Sequence, residues 1–308
     1  MRRTGAALAL AAIAVTGCSS ARSNDAAAEI DGATVSRSRY EALVRDVAAN
    51  PERFGIEEDF ATGTIAGDPG RSLLTDLVQS AAMERYLVTN GGAITDADRQ
   101  TVVETIGPQA EGVPPGVLDL YVGLQAAGAA LGRMAGQSGE AQAAWDSSPA
   151  DVGLLCVRHI LVESEDEALD VLAELDGGAD FAELAAERSI EPAAATTGGA
   201  IEVSPEQPCI GLAEAAGGGL DPVFLAAAVE AVPGTPIGPV QTSFGWHVIL
   251  ARPYDEVAVA VDPAVGGSGF EEYLGTVDVE VDPRYGRWDP DVGSVVALEA
   301  PPPTTVAL

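Results

Sequence analysis

The chain has 308 residues, enough for two ordinary domains, and its composition is globular, with 47% hydrophobic and 5% aromatic residues. It carries 47 acidic against 16 basic residues, a net charge of −31, and every basic residue is an arginine. The absence of lysine excludes a P-loop lysine and Schiff-base or lysine-base catalysis. The acidic excess argues against nucleic acid as a partner, because phosphate binding needs clustered Lys and Arg.

The N-terminus has the layout of a secretory signal peptide, predicted here over residues 1–17. Two arginines are followed by an apolar run at residues 6–15, which is too short to span a membrane. The sequence Val-Thr-Gly-Cys ending at Cys18 resembles the bacterial lipobox. That resemblance implies cleavage before Cys18, a lipid on its sulfur and anchoring to the outer face of the bacterial cell membrane, with residues 18–28 as a tether. The alternative is an ordinary signal peptide with an incidental cysteine.

Two further cysteines, Cys156 and Cys209, remain in the exported part of the chain. Outside the cytoplasm such a pair favours a disulfide, and two free thiols are the alternative. A bridge that closes a loop of about fifty residues would stabilise the fold by roughly 4 kcal/mol through loop-closure entropy. A zinc site is disfavoured, because the chain's few histidines and cysteines have no zinc-like spacing.

Residues 29–150 are predicted to form a mostly helical domain that ends in a linker. A hairpin at 29–35 turns at Asp31-Gly32. The capping-box spacing of Ser38 and Glu41 begins the first of four amphipathic helices. The other three are expected at 72–89, from Thr95 or Asp96 to Gly107, and at 115–134. The small polar residues at 137–151 are typical of a linker.

Residues 151–256 have a different sequence pattern and are predicted to form an α+β domain. Apolar runs, capping residues and glycine-rich stops alternate there in the order β-α-α-β-α-β-β. Beyond it, valines alternate with other residues at 257–261 and again at 277–281, which predicts two strands. We expect these C-terminal strands, within residues 257–308, to pair with the hairpin at 29–35 and to enclose the α+β domain as an insertion. The last residues should be a loose tail.

The chain's two histidines, His159 and His247, lie on the first and the last strand of the α+β domain. If these strands are neighbours, the imidazoles can meet on one face of the sheet. The structural alternative is a buried pair that only holds the strand register.

Six short motifs across residues 153–253 resemble, in order, those of the parvulin-type peptidyl-prolyl isomerases. They are Arg-His-Ile-Leu-Val at 158–162, Gly-Ala-Asp-Phe-Ala-Glu-Leu-Ala at 178–185, Ser-Ile-Glu-Pro at 189–192, Gly-Gly at 198–199, Asp-Pro-Val-Phe at 221–224 and Gly-Pro-Val-Gln-Thr-Ser-Phe-Gly-Trp-His at 238–247. The helical part with the C-terminal strands is similar, by arrangement, to the chaperone part of SurA-like and PrsA-like exported foldases. The resemblance implies isomerisation of X-Pro bonds in newly exported polypeptides, with no cofactor or metal.

The resemblance also implies roles for individual residues. His159, His247, Thr242 and Glu191 match the polar network of the active site, with Glu191 where the family carries Cys or Asp. Ile201, Leu220 and Phe224 match the apolar shelf for the proline ring, and Phe244 lines the same cleft. A Cys156–Cys209 bridge would hold the loop at 203–219 against the strand that carries His159.

Three departures from the family bear on activity. Ala200 stands where an acidic residue is frequent, Glu191 is one methylene longer than Asp, and the loop at 203–219 is remodelled. An acidic stretch at 163–167, where phospho-specific members carry a basic loop, argues against recognition of phospho-Ser-Pro. A non-catalytic chaperone that holds extended segments is therefore the second hypothesis. A solute-binding lipoprotein is disfavoured, because neither half has an alternating βαβ pattern.

Overall fold

The computed structural model describes residues 25–56, 67–204 and 206–298. The predicted signal peptide at 1–17, the predicted lipidation site Cys18 and the end of the predicted C-terminal tail lie outside these residues. None of the helices in the described part of the chain combines the length and the apolarity that a membrane crossing requires.

The fold begins with the predicted hairpin, formed by β1 (Ala26–Ile30) and β2 (Ala33–Ser36). Asp31 and Gly32 have φ angles of 44° and 81°, the left-handed pair that a two-residue hairpin turn requires. Strand β1 starts three residues earlier than predicted, and the side chains of residues 26–28 are buried. The last three residues of the predicted tether at 18–28 therefore belong to the folded domain.

Among the described residues, six α-helices follow the hairpin, with bounds α1 (Arg37–Ala48), α2 (Gly67–Thr89), α3 (Asp96–Ile106), α4 (Pro115–Ser138), α5 (Glu140–Ser147) and α6 (Pro149–Val152). The hydroxyl of Thr95 accepts from the amide of Asp98 and the Asp98 carboxylate accepts from the amide of Thr95, a complete capping box. Helix α1 is capped by Ser36 and not by the predicted Ser38. Helix α2 begins five residues before the predicted start.

The linker predicted at 137–151 is wrong, because this stretch is helical and carries part of the core. Ala141 and Trp145 lie one helical turn apart on α5 and are both buried, with Trp145 only 1% exposed. The Trp145 indole N–H donates to the backbone oxygen of Arg252 at 3.0 Å. Burial of this one large aromatic outweighs the linker-like composition around it.

The α+β domain follows in the elements β3 (Leu154–Leu155), β4 (Val157–Val162), α7 (Glu165–Asp176), α8 (Phe181–Arg188), α9 (Ala194–Thr197), β5 (Ala200–Ile201), β6 (Ile210–Gly211), α10 (Leu212–Gly217), α11 (Pro222–Val229), β7 (Pro236–Thr242) and β8 (Gly245–Ala251). Its main sheet has the order β5-β4-β8-β7 and is antiparallel throughout. The predicted α+β class is confirmed. The single strand predicted at 154–162 divides into β3 and β4.

Each face of this sheet packs against helices. On one face, side chains such as Ile160 and Val248 form a core with α7 and α8. On the other face, Val157 and Ile249 pack against Phe224 of α11. Because side chains alternate along a strand, His159 points to the α11 face with Val157, and His247 points there with Ile249.

A disulfide joins Cys156, between β3 and β4, to Cys209, directly before β6. Strand β3 pairs with β6, so that covalent and hydrogen bonds hold the remodelled loop in the same place. The loop is thus fastened three residues upstream of His159.

The chain ends in α12 (Tyr254–Thr276), β9 (Val279–Val281), β10 (Arg287–Asp289) and β11 (Ser294–Val296). The strand predicted at 257–261 is wrong, since these residues lie in α12. Val257 and Val261, one helical turn apart, are buried, whereas Val259 is 62% exposed. The alternating valines therefore lie in a helix, in which Val257 and Val261 face the core and Val259 faces solvent.

Helix α12 lies along α4 with very little space between the backbones. A Cβ added to Gly132 would lie 3.0 Å from Pro263, and one added to Gly266 would lie 2.5 Å from the backbone oxygen of Leu131. Glycine at these positions permits the close approach. Strand β9 pairs with β1 in an antiparallel register, so both ends of the described chain form one helical lobe with the α+β domain inserted.

Candidate active site

The two histidines meet because β4 and β8 are neighbours. In their register, Leu161 lies opposite His247 and His159 opposite Ile249. The two imidazoles stack with ring centres 5.4 Å apart, and their Nδ1 atoms are 3.2 Å apart. The residues are 8% and 4% exposed, respectively.

Two further predicted residues complete a linear network. The Nε2 atom of His159 lies 2.6 Å from Oε2 of Glu191. The Nε2 atom of His247 lies 2.8 Å from Oγ1 of Thr242. The backbone N–H of Phe244 donates to the same Thr242 oxygen at 3.1 Å.

The two ends of the network determine its direction. The Glu191 carboxylate only accepts, so His159 donates from Nε2 and, as a neutral ring, accepts at Nδ1. His247 therefore donates from Nδ1 and accepts at Nε2, where the hydroxyl of Thr242 donates. Each hydrogen bond of the network is thus donated in the direction from Thr242 to Glu191. This order assigns one neutral tautomer to each imidazole ring.

Burial keeps both rings neutral. It lowers the pKa of His247 to about 4, with a further lowering by His159 and an opposing effect of Asp221. It also lowers the pKa of His159, against the raising effect of the nearby Glu191 carboxylate. A proton added to Nδ1 of His159 would face the Nδ1–H of His247, and one added to Nε2 of His247 would face the hydroxyl proton of Thr242, so either would break the network as it stands.

The stability of the protein is expected to fall by about 2–3 kcal/mol between pH 7 and pH 4 because of His247 alone. Its pKa is lower in the folded state than the unfolded value of 6.5, so the unfolded state binds the proton first as the pH falls. The contribution of neutral His247 to the free energy of unfolding is present above pH 6.5 and is lost as the pH falls toward the pKa of His247 in the folded state. Urea unfolding across this range measures it.

The control for this prediction is His247→Phe, which keeps the ring shape and removes the titration. Its unfolding free energy should depend less on pH than that of the wild type. Equal slopes for the two proteins between pH 6.5 and pH 4 would contradict a neutral buried His247.

An open cleft of about 640 Å³ lies in front of the histidine pair. The four predicted apolar residues, Ile201, Leu220, Phe224 and Phe244, all line it together with both histidines and Glu191. Phe224 is buried and packs edge-on against both imidazoles, with ring centres 5.3 and 5.1 Å away. Phe244 is 66% exposed.

Sequence reasoning assigned seven of the lining residues and missed the others, among them Leu161, Ile190 and Asp221. Leu161 could have been found, because it is two residues from His159 and shares its face of the strand. Asp221 belongs to the family motif at 221–224, but sequence reasoning assigned it no role in the cleft. Its carboxylate accepts from the amide of Val223 at 2.8 Å and from the hydroxyl of Ser243 at 3.3 Å, which ties α11 to the β7–β8 turn.

The sequence of residues 159–252 matches the Rotamase family, described as the PPIC-type PPIase domain. This part of the chain is therefore a PPIC-type, parvulin-like peptidyl-prolyl isomerase domain. It holds both histidines and the whole described cleft.

Among curated proteins, the chain is similar to a parvulin-like PPIase of Rickettsia bellii, with 33% identity over 135 residues that cover 41% of this chain and 44% of that protein. It is also similar to the foldase protein PrsA of Clostridium botulinum, with 36% identity over 103 residues, 33% of this chain and 28% of that protein. The matches thus span less than half of the length of these relatives. Among solved structures, PrsA from Bacillus subtilis aligns with a TM-score of 0.28 and 21% identity, over 66% of this chain and 78% of that one.

Proposed function

We propose that this protein is an exported foldase whose inserted domain catalyses cis–trans isomerisation of X-Pro bonds in secreted polypeptides. The observation that carries the proposal is the continuous polar network, Thr242 to Glu191, placed directly behind an apolar cleft. The PPIC-type family match and the PrsA relatives agree with it.

The chemistry needs no bond to be broken. The obstacle is the partial double bond of the amide, with a barrier of about 18–20 kcal/mol. A catalyst lowers it by binding the twisted amide more tightly than either planar isomer. Slow X-Pro isomerisation limits folding, so this activity suits a protein that acts on unfolded chains.

In this proposal Ile201, Leu220 and Phe224 hold the proline ring, and Phe244 covers the open side. The neutral histidines form a rigid polar wall for the rotating carbonyl, and Thr242 and Glu191 at the two ends of the network fix their tautomers. No residue acts as a nucleophile, and none needs to change its protonation state during the reaction.

The N-terminal pattern supports export and anchoring through a lipid on Cys18. The disulfide between Cys156 and Cys209 is consistent with an oxidising compartment outside the cytoplasm. The clients are unfolded or newly exported polypeptides.

The proposal is tested with the full chain in a protease-free assay of proline-peptide isomerisation. Wild type should accelerate isomerisation, and His247→Phe should lose at least a hundredfold in kcat/KM because its ring cannot hydrogen-bond. Asp180→Asn is the control, since Asp180 caps α8 outside the cleft and Asn caps equally well. Wild-type activity equal to the uncatalysed rate would overturn the catalytic assignment.

A holdase is the second candidate, favoured by a groove in the helical lobe. The groove has a volume of about 590 Å³ and is mostly apolar, with lining side chains from α1, α2 and α4 that include Val47, Leu73 and Tyr121. If the wild type is catalytically silent but suppresses aggregation of an unfolded test protein, this second function is the correct one.

A further inference from the structure

The charged side chains that line the cleft are all negative. Three of its lining side chains are carboxylates, from Glu191, Glu202 and Asp221, and none of the lining residues in the described part of the chain is an arginine. The apolar shelf selects proline but does not distinguish among its neighbours in the client. Charge is the property of this cleft that can do so.

One of the three carboxylates is already neutralised. Glu202 pairs with Arg252 at 3.0 Å, and the two side chains are largely buried. Arg158, the other arginine of this region, bonds to Glu256 and to the backbone oxygen of Thr197 and is not free to enter the cleft. Neither arginine therefore cancels the remaining charges.

Glu191 and Asp221 have no arginine partner in the described part of the chain. The histidine next to Glu191 is neutral, so it does not balance that carboxylate. Backbone and side-chain hydrogen bonds, first of all that from Val223, lower the pKa of Asp221 and hold it ionised. The field of Asp221 reaches the His247 ring. The cleft thus has an uncompensated charge of about two negative units beside the proline shelf.

The rest of the chain also carries an excess of negative charge. An acidic stretch at 163–167 follows β4 directly, and the whole chain has a net charge of −31. Such a field attracts cationic segments and repels anionic ones before contact, in a way that salt weakens.

We propose that this cleft selects X-Pro segments in which Arg or Lys flanks the proline, and that Asp221 is a specificity-determining residue. The inference rests on the proposed function for its client class, since it assumes that the cleft receives proline segments. It adds that the preferred clients are basic and that acidic proline segments are rejected.

The test uses peptides Ala-Xaa-Pro-Xaa-Ala with Arg, Leu or Glu at both variable positions. NMR exchange gives kcat/KM, and chemical-shift titration gives Kd, at low and at high salt. For wild type we expect the Arg peptide to exceed the Glu peptide about tenfold in kcat/KM and in affinity at low salt, with the Leu peptide between them. In 0.5 M NaCl the ratio should fall toward one.

The matched variants are Asp221→Asn and Asp180→Asn. Both remove one charge from a helix cap and keep an amide that can cap, but only Asp221 lines the cleft. Asp221→Asn should reduce the Arg-to-Glu ratio about threefold. Asp180→Asn should leave the ratio unchanged.

An Arg-to-Glu ratio within twofold of one at low salt would overturn the inference, and so would an equal effect of the two variants. Failure of the proposed function looks different. In that case no peptide is isomerised faster than in buffer, while the affinities still show whether the cleft prefers basic segments.

Discussion

Ending the chain at Asp255 is expected to abolish the cooperative unfolding of the helical lobe while the inserted domain stays folded. The residues removed include seven buried apolar side chains, Val257, Val261, Phe270, Leu274, Val281, Trp288 and Val295. At roughly 1.5–3 kcal/mol for each, their loss exceeds about 10 kcal/mol, which is comparable to the whole stability of an ordinary domain. Truncation also removes β9, the partner of β1.

Thermal unfolding followed by circular dichroism measures this result. The truncated protein should lose one transition and keep that of the inserted domain, whose sheet has separate cores on both faces. Two point variants give a matched check. Phe270→Ala should cost about 3–5 kcal/mol, whereas Val259→Ala, on the exposed side of α12, should change stability by less than about 0.5 kcal/mol. An unchanged helical transition after truncation would contradict the shared lobe.

Replacing Phe224 with Ala is expected to reduce both stability and isomerase activity. Phe224 is buried against Ile249 and Val157, so the cavity should cost about 3–5 kcal/mol. It also packs against both imidazole rings and forms the floor of the cleft. Loss of the shelf and of the support for the rings should lower kcat/KM by at least about a hundredfold.

Urea unfolding and kcat/KM measured on the same samples separate the two effects. Phe224→Leu is the control, because it keeps an apolar surface for the proline ring at a smaller cost in stability. We expect it to retain much more activity than the alanine variant. A folded Phe224→Ala protein with kcat/KM within threefold of wild type would show that proline does not bind at this shelf.

Short sequence motifs predicted the structure correctly wherever it depends only on contacts within a few residues. The Asp31-Gly32 turn and the Thr95 capping box were predicted from their own residues, because a turn or a cap is satisfied by neighbouring backbone. The strands around His159 and His247 and the α+β class followed from apolar runs between stops.

Local signals failed where burial by distant residues decided the structure. The valines of α12 were predicted as a strand, because alternation alone cannot show that Val259 faces solvent while its neighbours are buried by α4 and α5. The linker prediction failed for the same reason, since the partner of Trp145 is the backbone of Arg252, more than a hundred residues away.

The sequence by itself determined which residues could form the site, namely two histidines, a hydroxyl, a carboxylate and four apolar side chains in family order. Only the tertiary structure decided that they meet. The register of β4 against β8 places the histidines Nδ1 to Nδ1, and the loop after α8 places Glu191 at the end of the network. Distances, hydrogen-bond direction and the low pKa of His247 depend on that register and on burial, which no short stretch of sequence contains.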